Sequence, residues 1–97
     1  MEDLTIIKPL YWGGREDTGK QILFKTGDKH YVASQVYLDQ DSYGKMQWET
    51  MVFAADEKGT VLNWSDLWCK REEKPTNLEN LLYMAHKQGD INANSSY

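Results

Sequence analysis

Gln47-Trp48-Glu49-Thr50-Met51-Val52-Phe53-Ala54 reads as a β-strand, Asp56-Glu57-Lys58-Gly59 as the turn that ends it, and Val61 to Cys69 as the strand that returns. In the first of these, Trp48, Thr50 and Val52 alternate with Gln47, Glu49, Met51 and Phe53. A period of two puts the two sets on opposite faces of a sheet. An acidic tetrapeptide ending in glycine is turn chemistry. The hairpin so predicted anchors the fold and holds no catalytic signature, and Trp48 and Trp64 within it are expected to fill core.

Toward the N-terminus the same period recurs. Leu4 to Lys8 is a short strand that Pro9 assigns to an edge or an end. Gln21 to Lys25 is a second strand, closed by Gly27-Asp28. From Tyr31 to Leu38, Val32, Ser34, Val36 and Leu38 share one face, with Tyr31, Ala33, Gln35 and Tyr37 on the other. Gly13 to Lys20 and Asp39 to Gly44 are connections. After Lys74-Pro75 the period changes. Thr76-Asn77-Leu78-Glu79 has the form of a capping box, Leu78, Leu81, Leu82 and Ala85 fall at helical spacing, and Gly89 follows as a C-terminal cap. This predicts a helix from about residue 77 to about residue 88. The fold class is α+β: a twisted antiparallel meander of four to five strands with one C-terminal helix across one face. Residues 1–89 are expected to form a single domain and residues 90–97 a polar, flexible tail.

Composition limits the function. Ninety-seven residues make one domain with a modest core. Nine Leu, four Ile, four Val and two Phe are supplemented by four Trp and six Tyr, large rings that replace many aliphatic side chains. The net charge of −4 is mixed along the chain, and no basic run is uninterrupted, which disfavours phosphate-driven nucleic-acid binding. Cys69 is the single cysteine, so no intrachain disulfide forms. No apolar run approaches the ~20 residues of a membrane span, and Met1-Glu2-Asp3-Leu4 lacks the pattern of a signal peptide. The expectation is a cytoplasmic protein.

Three stretches imitate known sites and fail on context. Gly14 to Lys20 has the G-x-x-x-x-G-K spacing of a phosphate loop, but Gln21 stands where Ser or Thr should bind magnesium and a strand follows where a helix is needed. Arg15 and Lys20 would be its ligand-binding residues. Asp39-Gln40-Asp41-Ser42-Tyr43-Gly44 opens like a calcium loop, yet Thr50 occupies the position of the bidentate Glu. His30, His86 and Cys69 have no standard zinc spacing. No cofactor, metal or catalytic residue is implied. What remains is an aromatic content beyond core demand. Trp and Tyr suit interface hot spots, which points to a partner-binding surface made of Trp68, Trp12, Tyr11 and Tyr43 with the acids Asp39, Asp41, Asp56 and Glu57.

The segment Trp48-Glu49-Thr50-Met51-Val52-Phe53, the acidic turn, Asn63-Trp64-Ser65-Asp66-Leu67 and a helix carrying Ala85-His86 resemble small uncharacterised accessory proteins of phages, prophages and mobile elements of Gram-positive bacteria. These share an E-T-M-V-F strand, a W-x-E-L segment and a His-containing helix; Asp66 here stands where Glu is usual. The likeness covers about residues 46–88 and brings no reaction, cofactor or catalytic residue. It implies a non-enzymatic interaction module acting in a bacterial host cell on a host protein or complex, including defence systems. A homo-oligomer is compatible with it. The alternative reading of the sequence is a protein that binds and sequesters a small ligand or nucleotide through Arg15 and Lys20.

Overall fold

The computed structural model describes residues 3–10, 19–38, 47–73, 77–89 and 91. Five strands, β1 (Leu4–Leu10), β2 (Gly19–Thr26), β3 (Lys29–Leu38), β4 (Gln47–Ala55) and β5 (Trp68–Glu72), precede one helix, α1 (Leu78–Lys87). The strands lie in chain order, each antiparallel to the next. The expected α+β meander with a C-terminal helix is the fold, and the sheet is not closed into a barrel.

Alternation sorts the side chains as the sequence implies. Ile22 opposes Ala33 and Phe24 opposes Tyr31 across β2 and β3, and Ala33 opposes Val52 across β3 and β4. The Phe24 and Tyr31 rings stack at 5.3 Å. On this face α1 lays down Leu78, Leu82 and Ala85 to complete a buried cluster with Leu4, Ile22, Phe24, Tyr31, Ala33 and Val52. Burying each such Leu contributes roughly 1.5–3 kcal/mol. The same face buries one polar pair, in which Gln35 Nε2 donates to Thr50 Oγ1 at 3.3 Å, so neither group is left dry and unpartnered.

Helix α1 starts one residue later than the capping box suggests. Asn77, not Thr76, is the cap, its side chain accepting from the Asn80 N–H at 3.2 Å. Gly89 ends the helix at φ 84°, as expected of a C-terminal cap. His86 Nδ1 lies 2.6 Å from the Ile91 carbonyl oxygen; that nitrogen therefore carries the proton and donates. Of the expected flexible tail, the one described residue, Ile91, is buried in the helix-side cluster. The packed domain therefore reaches past residue 89.

Strand β1 holds a second difference. The expected strand ends at Lys8, but β1 continues through Pro9 to Leu10, which an edge position tolerates because Pro9 needs no partner for its missing N–H. A bulge at Ile7 shifts the register: Ile6 opposes Phe24, whereas Lys8 opposes Leu23. One extra residue exchanges the faces of everything beyond it. Leu4 and Ile6 therefore serve the helix side, and Leu10 serves the other.

The largest correction concerns the returning strand. Val61 to Cys69 is not one continuous strand. Val61 makes an isolated bridge with Ala55, residues 62–67 are irregular, and pairing resumes at Trp68 opposite Val52.

Candidate interaction surface

The connection from β4 to β5 is built of two hydrogen-bonded loops in succession. In the first, the Asp56 N–H donates to the Thr60 carbonyl at 3.0 Å and the Gly59 N–H to the Asp56 carbonyl at 3.1 Å. The Asp56 carboxylate accepts from the N–H groups of Lys58 and Thr60, both at 2.9 Å. Chiefly the Thr60 bond, with those of Lys58 and Gly59, holds the Asp56 carboxyl below the usual carboxylate range. Gly59, at φ 92°, lies against Leu10 so closely that a Cβ there would stand 3.3 Å from both Leu10 methyls. The turn thus folds over the sheet face away from the helix. There Leu23, Val32 and Ala55 form a second buried cluster, with Leu10 and Val61 packed against it.

The second loop starts where the Leu62 N–H donates to the Ala54 carbonyl at 2.9 Å and ends where the Leu67 N–H donates to the Val52 carbonyl at 2.7 Å. Those two carbonyls are two residues apart on β4, so residues 63–66 are extruded from the ladder. Within the extrusion, Asn63 Oδ1 accepts from the Ser65 N–H at 2.9 Å, an Asx turn. The result is an exposed apolar pair on an ordered loop. Leu62 keeps 67% and Trp64 72% of its surface in water. The Trp64 ring meets Phe53 edge to face, with centroids 5.3 Å apart and planes at 63°. Phe53 itself is buried, so Trp64 stands on a fixed base.

Carboxylates flank this pair. Glu57 is exposed at the turn preceding it. Asp66 follows it, close enough to Cys69 to disfavour the thiolate. On the same face Glu49 Oε1 accepts from Cys69 Sγ at 3.1 Å and from Arg71 Nε at 3.4 Å. Burial, then the bond to Glu49 and its charge, push the Cys69 thiol up to about 11. At neutral pH it is a protonated donor, not a nucleophile. His30 lies opposite Ala55 on β4 and Cys69 opposite Met51, two strands over and roughly 13 Å along by strand rise alone. His86 is buried under the helix on the other side. Among the described residues no three His, Cys, Asp or Glu side chains gather to hold a metal, and no helix is long and apolar enough to cross a membrane.

Of the partner-binding residues expected from sequence, Trp68 is half-buried and packs against the helix-side cluster. The expectation that Trp64 fills core is reversed by its exposure. The Trp64 expectation follows from treating residues 61–69 as one strand, which, continued from the Val61–Ala55 bridge, would set Trp64 opposite Val52 on the helix side. The four extruded residues instead send Trp64 to the Phe53 side and give the place opposite Val52 to Trp68. The missed signal is Asn63-Trp64-Ser65-Asp66, where three turn-forming residues surround the tryptophan. Asp56 is tied into its turn and Glu57 is exposed in the same turn. Tyr11, Trp12, Tyr43, Asp39 and Asp41 lie outside the described residues, as does Arg15. Lys20, the other residue of the ligand-binding alternative, is exposed on β2, and the strand that begins at Gly19 occupies the place where a phosphate loop would open a helix. Compared with known proteins, the chain matches no family model, no curated protein and no solved structure.

Proposed function

We propose that this chain is a non-enzymatic protein-interaction module that engages its partner through the 62–66 loop, with Trp64 at the centre of the contact. One observation carries the reading: a tryptophan 72% exposed on a loop whose ends and interior are hydrogen-bonded. Removing the ~150 Å² that such a ring exposes from water is worth roughly 4 kcal/mol before the costs of association. The Asx turn and the Phe53 contact meet part of the ordering cost in advance, which is how a preorganised anchor becomes a hot spot. Leu62 widens the apolar patch. In keeping with the resemblance to phage and mobile-element accessory proteins, the partner in this reading is a bacterial host protein or complex, and inhibition of a defence system is the consequence.

The test is affinity purification of the tagged full-length chain from a Gram-positive host, alongside Trp64→Ala. A specific protein that co-purifies with the wild-type chain and is lost with a folded Trp64→Ala variant supports the reading. Retention of the same protein by the variant rejects the loop as the contact.

A further inference from the structure

The charges around Trp64 define what can cover it. From Asp56 to Asp66 the chain carries three carboxylates and one ammonium group, that of Lys58. Asp56 precedes the apolar pair and is held ionised by its backbone bonds. Glu57 is exposed in the same turn, and Asp66 is exposed on the far side of Trp64. Glu49, which like Asp66 acts on Cys69, is already engaged by Arg71 at 3.4 Å. The apolar pair is therefore bracketed in the chain by acids, and the next basic residues, Lys70 and Arg71, stand on β5, where Arg71 is engaged by Glu49 and Lys70 lies opposite Thr50 on the helix side of the sheet. Resting on the reading that the 62–66 loop is the contact element, we infer that the surface receiving Trp64 is an apolar protein cleft rimmed by Lys and Arg side chains.

Other covers for an exposed Trp-Leu pair fit less well. An anionic membrane surface attracts basic segments and repels this one. Single-stranded nucleic acid would stack a base on Trp64, but its phosphates would then meet Glu57 and Asp66 where such sites place cations. A second copy related by a two-fold axis would bring the same acids face to face. A cationic rim alone turns the flanking charges from a penalty into steering.

The experiment uses the full chain with a photo-crosslinking benzoylphenylalanine at position 64, irradiated in the bacterial host, and identifies both the crosslinked protein and the crosslinked peptide. That protein, purified, is then titrated with the wild-type chain, Trp64→Ala, and the double variant Glu57→Lys with Asp66→Lys, each shown to be folded by circular dichroism; Glu57→Lys alone replaces the double variant if it does not fold. The inference expects the charge variant to associate about tenfold more slowly at low salt, with the difference collapsing near 0.5 M salt. Unchanged or faster association of the charge variant, with Trp64→Ala still abolishing binding, overturns the cationic rim and leaves the contact loop intact. Equal binding of Trp64→Ala and wild type overturns both, as does the absence of any crosslink. Crosslinks confined to the chain itself, or a blue shift of tryptophan emission on vesicles of phosphatidylglycerol, overturn the inference in favour of self-association or a membrane.

Discussion

The two faces of the sheet are closed by different means. On one, helix α1 lays Leu78, Leu82 and Ala85 over a continuous cluster that extends from Leu4 on β1 to Trp68 on β5. On the other, no helix is present among the described residues. The bulge at Ile7 turns Leu10 inward, and the Gly59 turn and Val61 close over Leu23, Val32 and Ala55. Farther toward β5 this face carries Phe53 beneath the edge of Trp64, then Glu49, Arg71 and Cys69. A regular element can satisfy its own backbone while it buries a stripe of side chains. Loops must use side chains such as Asp56 and Asn63 to satisfy theirs, and they leave apolar groups outside. The helix side is thus the stabilising face, and the loop side is where an exposed anchor can be held.

That comparison breaks first at the helix. Leu82 is fully buried, and Leu82→Ala is expected to destabilise the domain by about 3 kcal/mol, transfer and cavity terms together. For a chain of this length the melting temperature should fall by roughly 10–20 °C, read by thermal or denaturant unfolding followed with far-ultraviolet circular dichroism. A loss under about 1 kcal/mol would mean that the helix does not close this face.

Next come the two tryptophans four residues apart. Trp68→Ala should cost about 2 kcal/mol, because a half-buried ring leaves the margin of the helix-side cluster. Trp64→Ala should cost at most about 1 kcal/mol of stability, the worth of one edge-to-face contact, while removing partner binding. The reverse order of stabilities would place Trp64 in the core and remove the basis for a contact loop. Between these lies Gly59→Ala, expected to cost about 1–2 kcal/mol, since a left-handed backbone is strained for alanine and the new methyl presses on Leu10.

How much of this was legible in the sequence follows the same division. The alternation in 31–38 and 47–55 and the helical spacing of Leu78, Leu81, Leu82 and Ala85 gave sheet, faces and helix, because these patterns are local and their periods differ. The bulge at Ile7 was not legible: Leu4, Ile6 and Leu10 share a parity, and the register shift that separates them exists only relative to β2. Residues 61–69 were misread because Val61, Leu67 and Trp68 suggest strand, whereas Asn63, Ser65 and Asp66 favour a turn, and the turn prevailed. The exposure of Trp64 was accordingly missed. Aromatic excess is a compositional signal, and which ring is exposed depends on whether four residues stay in the ladder or leave it.

The smallest expected effect probes the loop side through its titration. Asp56 has a carboxyl group more acidic folded than unfolded, chiefly through the Thr60 N–H. A depressed folded pKa contributes stability that is present above the unfolded pKa and is lost as the pH falls through the folded one. The wild-type chain should therefore lose stability on acidification within and below the usual carboxylate range, and Asp56→Ala should lose less over that same window. The comparison is made by urea midpoints at matched ionic strength between neutral pH and about pH 3. Asp56→Ala removes the acceptor for two loop N–H groups as well, so its midpoint should be lower at neutral pH and converge on the wild-type value in acid. Parallel curves would show that the Asp56 charge plays no part in holding the turn. The backbone bonds of the turn and the packing of Gly59 and Val61 over Leu10 and Leu23 would then hold it without help from that charge.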